Sequence, residues 1–90
     1  MQMALDQARA AWQMGEVPIG CVIVRDGEVL GVGHNKVERY GVTRHAEIVA
    51  IEAAIAHTGE KVLPGTTLYV TVEPCTMCIG AILLARIDVV

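Results

Sequence analysis

The residue pattern predicts an α/β fold built on a mixed sheet, and three observations carry that expectation. Apolar residues recur at helical spacing in some stretches and give way to β-branched runs in others, so helices and strands interleave along the chain. Two of those runs are joined by a two-residue turn, which makes an antiparallel hairpin. A later strand, helix and strand follow one another closely, and such a unit crosses over right-handed with its strands parallel.

In residues 1–14, Met1, Leu5, Ala8 and Trp12 share a stripe while Asp6, Gln7 and Arg9 lie elsewhere, and Gly15 supplies a stop; this predicts the first helix. Met3, Met14 and Trp12 are expected to form its packing surface. Residues 19–24 and 28–33 are β-rich runs joined across Asp26-Gly27, a dipeptide that accepts the positive φ angles of a tight hairpin. Residues 34–44 contain Asn, Gly and three basic side chains without sustained periodicity and are read as a loop. From His45 a second helix is expected, with Ile48, Ile51 and Ile55 on one stripe and Gly59 as its C-cap. Residues 66–72 form a strand that Glu73-Pro74 ends. Cys75 to Arg86 is apolar enough to be a buried helix, and residues 87–90 begin another strand. A strand expected to be buried makes a poor natural terminus, so the chain is expected to be a single, incomplete domain, residues 1–90.

Ninety residues bury only about 60 to 65% of their unfolded surface, so the stability margin is thin and a bound metal would widen it. With 53% hydrophobic and 19% charged residues, the composition suits a globular protein with an aliphatic core and excludes a disordered chain. The longest uncharged apolar stretch, Cys75 to Ala85, is too short to span a bilayer, and the N-terminus lacks the pattern of a signal peptide, so a cytoplasmic location without membrane contact is expected. A net charge of −3 offers no general attraction to a polyanion. Lys36, Arg39 and Arg44 do cluster ahead of the suspected site, where the plain reading is a solvated loop.

Three cysteines, two of them in a C-x-x-C pair, fit metal binding in a reducing compartment better than a disulfide framework. Cys75 and Cys78 alone are ambiguous, since the same spacing serves redox proteins and structural zinc knuckles. Both fall at a helix start, where the helix field favours the thiolate. His45 also begins a helix. One histidine and two thiolates leave the fourth tetrahedral position of a zinc ion open to water, which a closed structural site does not do. His34 or His57 could complete a closed set. The plainer readings are a strand-end side chain for His34 and a residue near a helix C-terminus for His57.

Glu47 separates catalysis from structure, because a carboxylate two positions from a ligand histidine can reach an attacking water without being a ligand. On a regular helix positions 45 and 47 point about 200° apart, so they converge only if the metal lies beyond the first turn, near the axis. The alternative is a first-turn acid stabilised by the helix dipole. A metal that activates water at neutral pH and a carboxylate that moves protons are the two requirements of hydrolytic deamination. Cys21, inside an apolar strand, reads as a small buried side chain.

His45-Ala46-Glu47 together with Pro74-Cys75-x-x-Cys78 resembles the signature of the zinc-dependent cytidine deaminase superfamily. Within it, Glu16-Val17-Pro18-Ile19-Gly20, the run Leu68 to Cys75, and Met77-Cys78 with Gly80-Ala81 resemble the bacterial tRNA-specific adenosine deaminases, a likeness that spans nearly the whole chain. The resemblance implies a three-layer α/β/α fold and one Zn2+ per chain on His45, Cys75 and Cys78, with Glu47 as the catalytic proton carrier. It further implies conversion of adenosine to inosine at the wobble position in a tRNA anticodon loop, by a homodimer. Asn35 and the Ala46 backbone amide would then contact the base. Without the resemblance Asn35 reads as a turn residue. Two stretches depart from the family's common pattern: Gly41-Val42-Thr43-Arg44 stands where Asp-Pro-Thr-Ala is usual, and Lys36-Val37 replaces a basic residue followed by proline. A deaminase of a free base or nucleotide, such as guanine or cytosine, and a zinc-stabilised binding module without turnover are the alternative readings.

Overall fold

Asp26 and Gly27 adopt φ values of 52° and 78°, the left-handed conformation that a two-residue hairpin needs. They join β1 (Gly20–Arg25) to β2 (Glu28–His34), which pair antiparallel from Gly20 opposite His34 to Ile23 opposite Gly31. The register then slips, so that Val24 faces Val29. This bulge leaves Leu30 without a partner on β1 and buries its side chain. On the other side of β1 lies β3 (Thr67–Val70), also antiparallel, with Cys21 opposite Val70; the strand order is β2-β1-β3. The computed structural model describes residues 2–90, so Met1, assigned above to the first helical stripe, lies outside the described residues.

The parallel element expected at residues 87–90 is present as a single bridge, Thr67 to Val89. The Leu68 amide donates to the Val89 carbonyl at 2.8 Å, and the Asp88 and Val89 amides donate to the Thr66 carbonyl. The direction is the expected one, although the described pairing is one bridge long.

Side chains of β1 alternate between two covered faces. Gly20 lies against the backbone of α1 (Gln2–Gln13). Cys21 and Ile23 enter a core on the opposite face with Leu30, Ala50, Ile51, Leu63, Leu68 and Ile82. That core is closed by α3 (Ala46–Thr58) and α4 (Thr76–Ala85), which completes three layers. Gly59, with φ of 73°, ends α3 as expected and its amide reaches the Ile55 carbonyl.

Two stripes differ from the sequence reading. On α1 the buried residues are Ala4, Ala8 and Ala11, while Met3, Leu5, Trp12 and Met14 are exposed. On α3 the face against the sheet is Ala46, Ala50 and Ala54 rather than the isoleucines as a set, of which Ile48 and Ile55 are half-buried. The cause is close backbone approach. A Cβ at Gly31 would fall 2.5 Å from the Ala50 carbonyl, and one at Gly33 would fall 2.5 Å from the Ala46 carbonyl. Only glycine on the strand and a methyl on the helix fit that gap, and the contact fixes where the N-terminus of α3 sits.

Residues 34–44, expected to be loop, contain one helical turn, α2 (Val37–Tyr40). Four residues are too few to leave a periodic pattern. The turn is held instead by Glu16, whose two carboxylate oxygens accept the backbone amides of Glu38 at 2.8 Å and Arg39 at 3.1 Å. Among the described residues no helix is long and apolar enough to cross a membrane.

Candidate metal centre

His45 and Cys75 each stand one residue ahead of a helix, as the N-caps of α3 and α4, with extended backbone (ψ of 154° and 173°). Cys78 lies inside the first turn of α4. The two helix starts meet on the same face of the sheet and bring His45 Nδ1 to 3.6 Å from both Cys75 Sγ and Cys78 Sγ. A single Nδ1 cannot donate its one proton to two sulfurs, so these distances are better understood as a shared vertex. Tetrahedral bonds of about 2.05 Å to nitrogen and about 2.3 Å to sulfur place the two ligand atoms about 3.6 Å apart. The donor set therefore fits one zinc ion, and all three ligand atoms lie within 4.8 Å of one another.

The N-cap position of His45 also removes the difficulty with Glu47. The 200° separation applies to two helical residues, and His45 is not one; its extended backbone turns the imidazole toward the start of the helix. Glu47 follows in the first turn, 4% exposed, near enough for its negative charge to act on the Cys78 thiol. Ala46 is buried beside it.

The cysteines differ electrostatically. Cys75 is exposed, and its thiol is held below the ordinary range chiefly by the Cys78 backbone amide that donates to the sulfur. Burial and the negative charge of Glu47 push the Cys78 thiol up to about 12. Burial also raises the thiol pKa of Cys21, whose side chain is fully enclosed in the core, as the sequence suggested. Bringing a divalent ion to Cys75 and Cys78 would reverse the penalty on Cys78, since a positive charge between the sulfurs favours both thiolates.

The remaining residues singled out in the sequence fall around this centre. Asn35 is buried; its side-chain Oδ1 accepts the Val37 backbone amide at 3.1 Å and its backbone amide donates to the Ile19 carbonyl at 3.1 Å. The turn role is thus present. His34 Nδ1 lies 3.3 Å from the Asn35 carbonyl, and exposed His57 lies 3.3 Å from a Glu28 carboxylate oxygen. Neither belongs to the His45, Cys75 and Cys78 group, which is the one set of metal-capable side chains found among the described residues.

Of the basic cluster, Lys36 and Arg44 line an open cleft of about 380 Å³ with Tyr40 and Val49. Lys36 Nζ lies 5.9 Å from the centre of the Tyr40 ring. The Arg44 guanidinium makes a two-pronged ion pair with Glu52 at 2.7 and 2.9 Å, which draws the Glu52 carboxyl below its ordinary range. Arg44, on this wall, directly precedes His45 in the chain. Sequence reading passed over the clamp made by Glu16. Its partners are 22 and 23 residues away, and no local spacing signals them.

The whole chain, residues 1–90, matches the cytidine and deoxycytidylate deaminase zinc-binding region. The chain belongs to that family. Among its relatives, this deaminase domain is 56% identical over 88 residues to a tRNA-specific adenosine deaminase of Streptococcus pyogenes, covering 97% of this chain and 55% of that protein. It is 45% identical to the tRNA-specific adenosine deaminase of Aquifex aeolicus, covering 98% of this chain and 59% of the relative. The deaminase domain thus spans a little over half the length of these curated relatives. A solved structure from a study of A-to-I editing by tRNA:A34 deaminases superposes with a TM-score of 0.92 at 51% identity, covering 97% of this chain and 64% of that one. A guanine deaminase of Bacillus subtilis superposes equally well, TM-score 0.92, at 38% identity, covering 98% and 57%. Both confirm a cytidine-deaminase-like fold.

Proposed function

We propose that this deaminase domain is the metal-holding catalytic part of a cytoplasmic enzyme that hydrolyses adenosine to inosine at the wobble position of a tRNA anticodon loop. The observation that carries the reading is the buried Glu47 carboxylate beside a converged His45, Cys75 and Cys78. Identity favours the adenosine reading where the fold is neutral: 56% and 45% to tRNA-specific adenosine deaminases against 38% to a guanine deaminase.

His45, Cys75 and Cys78 would hold one zinc ion, whose charge, when bound, makes a water molecule nucleophilic at neutral pH. Glu47 does the proton work. Its carboxylate takes a proton from the attacking water and gives it to the ring nitrogen next to the carbon under attack. Glu47 then moves the proton of the newly added hydroxyl to the exocyclic amine, so that ammonia leaves as the carbon–nitrogen bond breaks and the carbon–oxygen bond remains as the carbonyl of inosine. The Ala46 amide and Asn35 orient the base, and burial of Glu47 keeps bulk water from competing for its proton.

Ile79, Leu83 and Leu84 leave an apolar outer face on α4, with Leu84 81% exposed. Such a face supports a homodimer, in which a second copy covers it.

Product analysis tests the substrate. The full-length protein with bound zinc is expected to convert the adenosine of an anticodon stem-loop to inosine with release of one ammonia. Release of ammonia from free guanine or cytosine, with the RNA left unchanged, would transfer the reading to a small-molecule deaminase.

A further inference from the structure

We propose that Glu16 is a positioning residue: its buried carboxylate clamps the single turn α2 and thereby sets one wall of the cleft lined by Lys36, Tyr40, Arg44 and Val49, which would take up the RNA substrate. The inference rests on the function proposed above and assigns it a residue outside the ligand and proton-transfer set.

A carboxylate only 4% exposed is costly unless its oxygens are hydrogen-bonded. Each oxygen of Glu16 accepts one backbone amide, from Glu38 at 2.8 Å and from Arg39 at 3.1 Å. These are the second and third residues of α2, whose amides have no carbonyl inside the helix to pair with. Lys36, at the N-cap position, makes no capping hydrogen bond with its side chain. A four-residue helix is unstable by itself, since nucleation costs more than one turn returns. Asn35 Oδ1 caps the Val37 amide locally, and the Glu38 and Arg39 amides that this leaves are capped by Glu16, 22 and 23 residues away in sequence.

The same turn carries the cleft wall. Tyr40 ends α2 and Lys36 precedes it; both line the cleft with Arg44 and Val49. Asn35 stands one residue earlier and is fixed by its contacts with Val37 and Ile19. The Lys36 amide donates to the Arg44 carbonyl at 2.9 Å, which closes the segment on itself immediately before His45. The segment is thus anchored ahead of β1 through Asn35 and Ile19 and held in the middle by Glu16. Releasing the middle lets Tyr40 and Lys36 move while His45, Cys75, Cys78 and Glu47 keep their places.

The test uses full-length, zinc-loaded protein and compares Glu16→Gln with Glu16→Asp. Glutamine keeps the size of the side chain but offers one acceptor, so one of the two amides faces an NH2 group instead. Losing one hydrogen bond to a charged group should raise KM for the RNA stem-loop about tenfold. The value of kcat should fall by less than about threefold. Zinc content should match the unsubstituted protein, and amide exchange at Glu38 and Arg39 should accelerate. Aspartate keeps the charge and both acceptors on a shorter stem, so its KM should lie between the two, and it carries the same comparison should the glutamine variant not fold. An unchanged KM with protected amides overturns the inference. So does a parallel loss of kcat, KM and zinc, which would make Glu16 a general stabiliser. An unsubstituted protein inactive on the RNA would instead reject the proposed function, while the exchange of the Glu38 and Arg39 amides would still report on the clamp.

Discussion

His45 and Glu47 converge because only one of them is helical. The extended ψ of 154° at His45 places its ring ahead of α3, and Glu47 sits within the first turn with its carboxylate turned inward. The same device operates at Cys75, so two N-caps and one first-turn cysteine make up the group that would hold the metal. Thiol reactivity should report this arrangement in metal-free protein. Cys75, exposed and with its pKa lowered, has the largest thiolate fraction at neutral pH and should alkylate first. Cys78, pushed up by burial and Glu47, should follow, and enclosed Cys21 should react last. Mass spectrometry of partially alkylated protein reads the order; zinc should protect the first two and leave Cys21 unaffected, and early labelling of Cys21 would contradict it. That His45, Cys75 and Cys78 come together was legible in the sequence, because their chemistry lies in residue type and spacing. The geometry of Glu47 was not, since an N-cap and a first helical residue look alike until their dihedral angles are known.

At the scale of elements, the placement of the site depends on how closely α3 lies on β2. Gly33→Ala would set a methyl group 2.5 Å from the Ala46 carbonyl. The helix would have to lift, at a cost of about 1 to 3 kcal/mol as for other overpacked contacts. Denaturant unfolding should show that loss, and a zinc titration should show weaker affinity because His45 and Ala46 move with the helix; unchanged stability would mean that the close approach does not set the helix. The helices themselves were readable from periodicity and caps, with Gly59 and the Asp26-Gly27 turn where expected. Which face they bury was not. Ile48 and Ile55, or Leu5 and Trp12, outweigh alanine in any reading of hydrophobicity, yet what decides is the missing side chains of glycines on a strand distant in sequence. The turn α2 escaped for a related reason, because its Glu38 and Arg39 amides are capped by Glu16.

For the molecule as a whole, small size and a shared ligand set couple folding to metal. His45 and the two cysteines belong to separate helices, and an ion that binds the folded arrangement alone stabilises it by about 2.7 kcal/mol at a hundredfold excess over its dissociation constant. A chelator should therefore lower the melting temperature of the zinc-loaded protein by several degrees, and calorimetry with and without the metal checks this; equal melting temperatures would mean that zinc does not hold α3 against α4. The outer face of α4 makes a second expectation. The apolar run from Cys75 to Arg86 reads as a buried helix, but Leu83 and Leu84 lie open in the single chain. If a second copy covers them, Leu84→Asp should weaken dimerisation at least about tenfold, as loss of an apolar anchor does, which sedimentation velocity of the full-length protein measures. The parallel pairing of Thr67 with Val89 marks where the sheet could take a further strand.

The central claim is that Glu47 moves protons and does not hold the metal. Its most direct test is paired measurement of zinc content and turnover in the full-length protein carrying Glu47→Ala. The account predicts one zinc per chain, as in the unsubstituted protein, with deamination reduced by at least about 10²- to 10⁴-fold. Turnover that survives the substitution, or zinc that leaves with the carboxylate, would contradict it.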